Sequence, residues 1–343
     1  MGMTLQLVVH GRGNAWPVPL GETHPFYNMK DPRDLSNAAF SLVASDKGRV
    51  VSDVLVDAGH GTVQSLISGS NRIPDSICLT HGHMDHTLSV DWIVQSFWRR
   101  HEKERLFPVY TTAPVYQFLL SSYPHLEPLI DFRELVYGKT IQMENAPPFR
   151  LTAYPVFHGT SAVGASMLLF EMEERRVLFS GDLLTPLLRS EDYDRLKGVD
   201  LLVVDINNRF PWPRTNHWSF TGQPENFMDR SKALKRFIDG LSWKDVTAPH
   251  DHPASGEAAG SYFRQLEDEW NLAEQPFTIL EFLKRIEPQQ VMPVHYSGAE
   301  DSRYYSESIL SGKELLSWII HSSQSAGIAS RYIVPEAGQV IPL

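Results

Sequence analysis

Short apolar runs recur along the chain, each closed by a polar or turn-forming residue. Leu7-Val8-Val9 runs into His10, Val54-Leu55-Val56 into Asp57, Ile77-Cys78-Leu79 into Thr80, Val177-Leu178-Phe179 into Ser180, and Val291-Met292-Pro293-Val294 into His295. Runs of this length, bounded in this way, read as buried strands. Strands are expected near 4–10, 38–45, 50–56, 75–80 and 107–111, and in the second half near 149–156, 165–171, 175–180 and 200–205. A helix is predicted from about Leu88 to Glu104, and another over about 113–121, where Pro114 suits the first turn. Tyr332-Ile333-Val334 and Gly338-Gln339-Val340-Ile341 predict a closing edge hairpin. Sheets alternating with helices in this order predict an α/β sandwich. No internal repeat or low-complexity tract breaks the pattern.

Chemistry collects where the runs end. Thr80-His81-Gly82-His83-Met84-Asp85-His86 holds four metal-capable side chains in six consecutive residues. On extended backbone, side chains two apart point the same way. His81 and His83 can therefore converge on one cation, and Asp85 and His86, beyond the bend at Gly82, can serve a second. Imidazoles and carboxylates without a thiolate suit zinc, iron, manganese or cobalt and leave room for water.

Composition narrows the setting. The chain of 343 residues has a formal net charge of −10. A protein that grips a large nucleic acid through its phosphates usually carries a basic patch. The densest one here, Trp98-Arg99-Arg100-His101-Glu102-Lys103-Glu104-Arg105, is interleaved with glutamates and reads as a solvated helix face. The one cysteine, Cys78, lies in an expected buried strand, so no disulfide can form within the chain, and a reducing compartment is the simpler reading. Residues 1–20 lack a basic start followed by an apolar core, and no apolar run approaches the roughly 20 residues needed to span a bilayer. A cytoplasmic protein without membrane association is expected.

The His-x-His-x-Asp-His stretch resembles the signature of the metallo-β-lactamase superfamily. Val54-Leu55-Val56-Asp57-Ala58-Gly59, His158 in Pro155-Val156-Phe157-His158-Gly159, Ser180-Gly181-Asp182 and Val291-Met292-Pro293-Val294-His295 are similar to the family's other motifs, in the family's order. The resemblance implies an αββα sandwich of two mixed sheets flanked by helices. It also implies two metal sites: His81, His83 and His158 at the first, Asp85, His86 and His295 at the second, and Asp182 bridging both. Zinc is the expected metal, with manganese or iron as alternatives. Asp57 would orient a ligand rather than bind metal. Since the ligands come from both halves, one domain over 1–343 is expected, with an insertion at about 207–275.

Leu7-Val8-Val9-His10-Gly11-Arg12-Gly13-Asn14-Ala15-Trp16-Pro17 resembles the opening strand and turn of ribonuclease Z-like members, which include cyclic-nucleotide phosphodiesterases and arylsulfatases. Two departures from ribonuclease Z stand out. Only 23 residues separate His158 from Asp182, too few for that enzyme's tRNA-gripping arm, and Asp182 and His295 are 113 positions apart. The aromatic, proline-rich stretch from Asn207 to Phe220 opens the resulting insertion. Further on, His250-Asp251-His252 precedes Ser255, a candidate N-cap. By resemblance, His252 is the candidate general acid, oriented by Asp205 or Asp251, with His217 as its rival. Asp85 completes the candidate catalytic set.

These readings converge on a dinuclear metal-dependent hydrolase, a phosphodiesterase acting on a small or cyclic phosphodiester. The alternatives are a tRNA 3′-processing endonuclease of the ribonuclease Z type and an arylsulfatase or lactonase on the same ligands. From a different class comes a non-catalytic module that binds metal or nucleic acid. A nucleic-acid partner is not favoured, and a homodimer is left open.

Overall fold

A computed structural model describes residues 3–101, 104–144, 149–158, 162, 164–183, 185–206, 275–276, 278–297 and 309–343. Its first half supplies strands β1 (Thr4–Gly11), β2 (Ala39–Asp46), β3 (Arg49–Val56), β4 (Ser76–Cys78), β5 (Phe107–Thr111) and β6 (Ile130–Glu134). The second supplies β7 (Thr140–Gln142), β8 (Arg150–Phe157), β9 (Ser166–Met172), β10 (Arg175–Phe179), β11 (Thr185–Pro186), β12 (Leu201–Asp205), β13 (Gln290–Val294), β14 (Arg331–Tyr332) and β15 (Val340–Pro342). Helices α1 (Thr62–Ser68), α2 (Met84–Thr87), α3 (Val90–Arg100) and α4 (Ala113–Ser122) fall in the first half. Helices α5 (Ser190–Leu196), α6 (Ile279–Ile286) and α7 (Gly312–Ser325) fall in the second.

The strands form two mixed sheets. One runs β15-β1-β2-β3-β4-β5-β6, antiparallel as far as β3 and parallel from there. The other runs β11-β8-β9-β10-β12-β13-β14, antiparallel as far as β10 and parallel beyond, with β7 paired to β8. Alternation assigns each strand residue to one of two cores. Leu5, Leu7 and Val9 of β1 meet Leu151, Phe170, Phe179, Val203 and Met292 between the sheets. Leu55 and Ile77 point outward against α1, α3 and α4, whereas Leu178, Leu202 and Val204 point outward against α5, α6 and α7. The result is the αββα sandwich expected from the sequence. Phe179 anchors the middle layer, with Phe40 and Phe170 ring centroids each 5.6 Å away. Burying a side chain of this size contributes about 1.5–3 kcal/mol.

Two local expectations are corrected. Tyr332 and Val340 do not belong to one hairpin: β14 pairs with β13 in the second sheet, and β15 pairs with β1 in the first. The helix expected from Leu88 to Glu104 is α3, which starts at Val90 and stops at Arg100, with the separate short helix α2 ending ahead of it at Thr87. Ser89 lies at the break because its N–H donates to Ala58 O at 2.7 Å and its hydroxyl to Gly59 O at 2.6 Å, which draws the backbone onto the loop after β3. Pro114 occupies the first turn of α4 as expected. The insertion at about 207–275, apart from Gln275, lies outside the described residues. Among those described, no helix is long and apolar enough to cross a membrane.

Candidate metal centre

Both sheets turn the C-terminal ends of their parallel strands toward one edge of the sandwich, where ligands of open α/β sheets collect. At the end of β3, Asp57 leaves the strand with left-handed backbone, φ 58°. Its Oδ1 accepts from Thr80 N–H and its Oδ2 from the Thr80 hydroxyl, both at 2.8 Å. Oδ2 also accepts from Nδ1 of His86 at 2.8 Å. Beyond β4 the chain bends at Thr80 and reaches His83, whose extended backbone caps α2, so that Asp85 and His86 stand on the first turn of that helix. The Asp57 loop comes so near this turn that a Cβ at Gly59 would lie 1.7 Å from the Asp85 carbonyl oxygen. A side chain there would push the two loops apart.

The seven side chains expected as ligands meet in two groups that share Asp182. In the first, His83 Nδ1 lies 3.2 Å from His81 Nε2 and 3.3 Å from His158 Nε2. Asp182 Oδ2 lies 3.3 Å from His158 Nε2 and 3.8 Å from His81 Nε2. In the second, Asp85 Oδ2 lies 3.3 Å from Nε2 of both His86 and His295. Asp182 Oδ1 lies 3.2 Å from His86 Nε2 and 3.3 Å from His295 Nε2. Within each group the ligand atoms all lie within 4.8 Å of one another.

These spacings fit cations. Ligands about 2.0–2.1 Å from a tetrahedral zinc stand about 3.3–3.4 Å from each other. The single in-plane lone pair of His83 Nδ1 faces two other ring nitrogens, which one acceptor serves poorly and a shared cation serves well. His86 Nε2 is buried and aligned for a hydrogen bond with none of the described residues, although two carboxylate oxygens lie close by. A buried nitrogen directed at carboxylates in this way is placed to coordinate.

Charge follows the same division. Burial pushes His81 well below the usual imidazole range, and the neighbouring His86 adds to the shift. Burial, then His158, holds His83 down at about 4. Both therefore present neutral, ligating rings at pH 7. In the second group burial also pulls the histidines down, but the carboxylates outweigh it. Asp182, Asp85 and Asp57 raise His86 well above its ordinary value, and Asp182 with Asp205 and Asp85 pushes His295 up to about 10. Burial acts to raise Asp85 and Asp182, yet the facing histidines hold both well below the carboxylate range.

Asp205, expected to orient His252, ends β12, and the structure sets it behind His295. Its Oδ1 lies 3.3 Å from His295 Nδ1, and its Oδ2 accepts from Leu183 N–H at 3.0 Å. Asp57 and Asp205 thus stand in like positions behind His86 and His295. The signal was present in the sequence, since each is an aspartate closing an apolar run. His217, Asp251 and His252 lie outside the described residues. Asp85, expected as catalytic, sits within the second group.

The family profile described as "Beta-lactamase superfamily domain" matches residues 52–235, just over half of the chain. The chain belongs to that family. It has the metallo-β-lactamase fold, with a His/Asp cluster suited to divalent metal. Endoribonuclease YSH1 of Mycosarcoma maydis is 27% identical over 122 residues, covering 32% of this chain and 14% of the relative. Endoribonuclease ysh1 of Schizosaccharomyces pombe is 25% identical over 192 residues, covering 48% and 23%. The chain therefore matches less than a quarter of the length of these curated relatives. Over whole chains the superfamily fold is shared with a new diphosphatase from the PhnP family, at TM-score 0.58 and 13% identity, covering 99% of this chain and 98% of that one. The metallo-β-lactamase fold protein YhfI of Bacillus subtilis aligns at TM-score 0.56 and 11% identity, covering 100% of both chains. The short form of human tRNase Z aligns at 0.50 and 14%, covering 98% of both. At these identities the likeness is one of fold.

Proposed function

We propose that the chain is a dinuclear metal-dependent phosphodiesterase for a small or cyclic phosphodiester, built as one domain with an insertion at about 207–275. His81, His83 and His158 hold one cation, Asp85, His86 and His295 the other, and Asp182 both. Zinc suits the all-imidazole and carboxylate donor set, with manganese or iron as substitutes. The observation that carries the proposal is the division of Asp182: Oδ2 belongs to the first group and Oδ1 to the second. A carboxylate shared in this way reduces the repulsion between two neighbouring dications.

When bound, the two cations would supply Lewis acidity toward a phosphoryl oxygen and lower the pKa of a coordinated water. The protein's part is to fix the rings. Asp57 holds the Nδ1–H of His86, and Asp205 stands at the Nδ1 of His295, so that each ring turns its Nε2 to the site. Buried Val56, Phe179, Val203 and Val294 line the space beneath. His252, with His217 as the rival, protonates the departing alkoxide, worth roughly 10²–10⁴-fold.

Three named matches, the endoribonuclease, the diphosphatase and the tRNase Z, support hydrolysis at phosphorus. The net charge of −10 supports a small substrate, as does the stretch between His158 and Asp182, which holds β9 and β10 rather than an arm. The endoribonuclease names of the curated relatives favour a second reading, cleavage of RNA. The test is turnover of bis(p-nitrophenyl) phosphate and a cyclic nucleotide against precursor tRNA and unstructured RNA, with metal content measured alongside. Two metals with efficient small-diester hydrolysis supports the proposal; accurate RNA cleavage with negligible small-diester turnover transfers it to the second reading.

A further inference from the structure

The loop between β1 and β2 binds the three residues that follow β13. Arg12 O accepts from His295 N–H at 2.8 Å. The Tyr27 hydroxyl donates to Tyr296 O, and His24 Nε2 donates to Ser297 O. The His24 tautomer follows from its other nitrogen, since Nδ1 accepts from Phe26 N–H at 3.1 Å. His295 needs such support. It leaves its strand at φ 61°, a left-handed conformation that costs a non-glycine residue about 1–2 kcal/mol.

The loop is itself anchored. The buried guanidinium of Arg12 donates from Nε to Asp34 Oδ1 at 2.8 Å and from Nη2 to Asp34 Oδ2 at 3.0 Å. Nη1 reaches Pro335 O at 2.5 Å, and the guanidinium carbon lies 4.2 Å from the Phe26 ring centroid. Gly11 lets the loop close, because a Cβ there would lie 2.0 Å from Asn37 O. At its far end the Asn37 amide donates to Asn14 O at 2.5 Å, and its oxygen accepts from His60 N–H at 2.7 Å. The same loop thereby reaches the turn after Asp57.

We propose that Arg12, His24 and Tyr27 form a backbone clamp that sets the position of His295, and through it the affinity of the second cation site. The clamp rests on the two-cation reading above. Its members are positioning residues, since each acts on the backbone around His295 rather than on substrate.

The experiment titrates full-length, chelator-stripped protein with zinc against a chromophoric competitor, which resolves two binding steps. In Tyr27→Phe and His24→Leu the Asp85/His86/His295 site is expected to weaken about 10–100-fold while the other holds. His24→Gln, whose amide can still donate, is expected to recover most of the affinity. Tyr193→Phe is the control: it also removes a buried tyrosine hydroxyl, one bonded to Gln275 Oε1 at 2.8 Å, and should leave both zinc steps unchanged. If Tyr27→Phe and Tyr193→Phe lower the unfolding midpoint alike and both leave zinc affinity unaltered, the loop is only structural and the clamp is overturned. Should His24→Leu fail to fold, Tyr27→Phe, which removes a single oxygen, decides. Fewer than two zinc ions in the wild type would overturn the two-cation reading and the clamp together; two zinc ions with unchanged steps in Tyr27→Phe would overturn the clamp alone.

Discussion

Oδ2 of Asp57 accepts the Nδ1–H of His86 at 2.8 Å while the same carboxylate is held by the backbone and hydroxyl of Thr80. The pair fixes the ring and its tautomer, so that Nε2 faces Asp85 and Asp182 with its lone pair available to a cation.

Removing that carboxylate should therefore loosen one site. In Asp57→Ala, zinc affinity at the second site is expected to fall about 10–100-fold, with the first site nearly unchanged. Competition titration measures it, and an unaltered second step would show that His86 does not depend on Asp57.

Asp182→Ala should affect both sites, because its two oxygens serve different groups. Turnover of bis(p-nitrophenyl) phosphate is expected to drop by at least about two orders of magnitude, with metal content reduced and the far-ultraviolet circular dichroism preserved. Undiminished turnover would place the chemistry elsewhere.

Metal-free protein should give up protons when it binds zinc. His295, pushed up to about 10, is protonated at pH 7.5 without metal, the facing carboxylates raise His86 well above its ordinary value, and ligation requires neutral rings. The apparent binding enthalpy should vary with the ionisation enthalpy of the buffer, with a slope corresponding to net proton release. A slope of zero would contradict these assignments.

His10 provides a stability test away from the metal. It is buried between the hydroxyls of Ser65 and Ser41, at 3.2 and 2.9 Å, and burial lowers its pKa to about 4. A base whose pKa falls on folding takes up its proton more readily when unfolded, so acid favours unfolding. The contribution is complete above about pH 6.5 and is lost as pH falls toward about 4, amounting to at most about 3 kcal/mol. Urea unfolding of metal-free wild type and His10→Gln at pH 7.5 and 5 should show the variant losing less stability on acidification. Parallel losses would remove His10 as a source.

The sequence by itself determined which residues sit at strand ends and which of those carry metal-binding chemistry. That information is local: an apolar run marks a buried strand, and the residue closing it is forced to the rim. His81, His83, Asp85 and His86 were legible because only a few bonds separate them, whatever path the chain takes between them. Which strand lies beside which is long-range, and periodicity reports burial without naming the neighbour. Tyr332 and Val340 therefore read as one hairpin, although they pair with β13 and β1 in different sheets. For the same reason only the tertiary structure decided that Asp205 stands behind His295, that Asp182 divides its oxygens between two groups, and that a loop beginning at Arg12 holds the backbone of residue 295. Each of these depends on two sheets closing over one core, a relation that no single stretch of the chain contains.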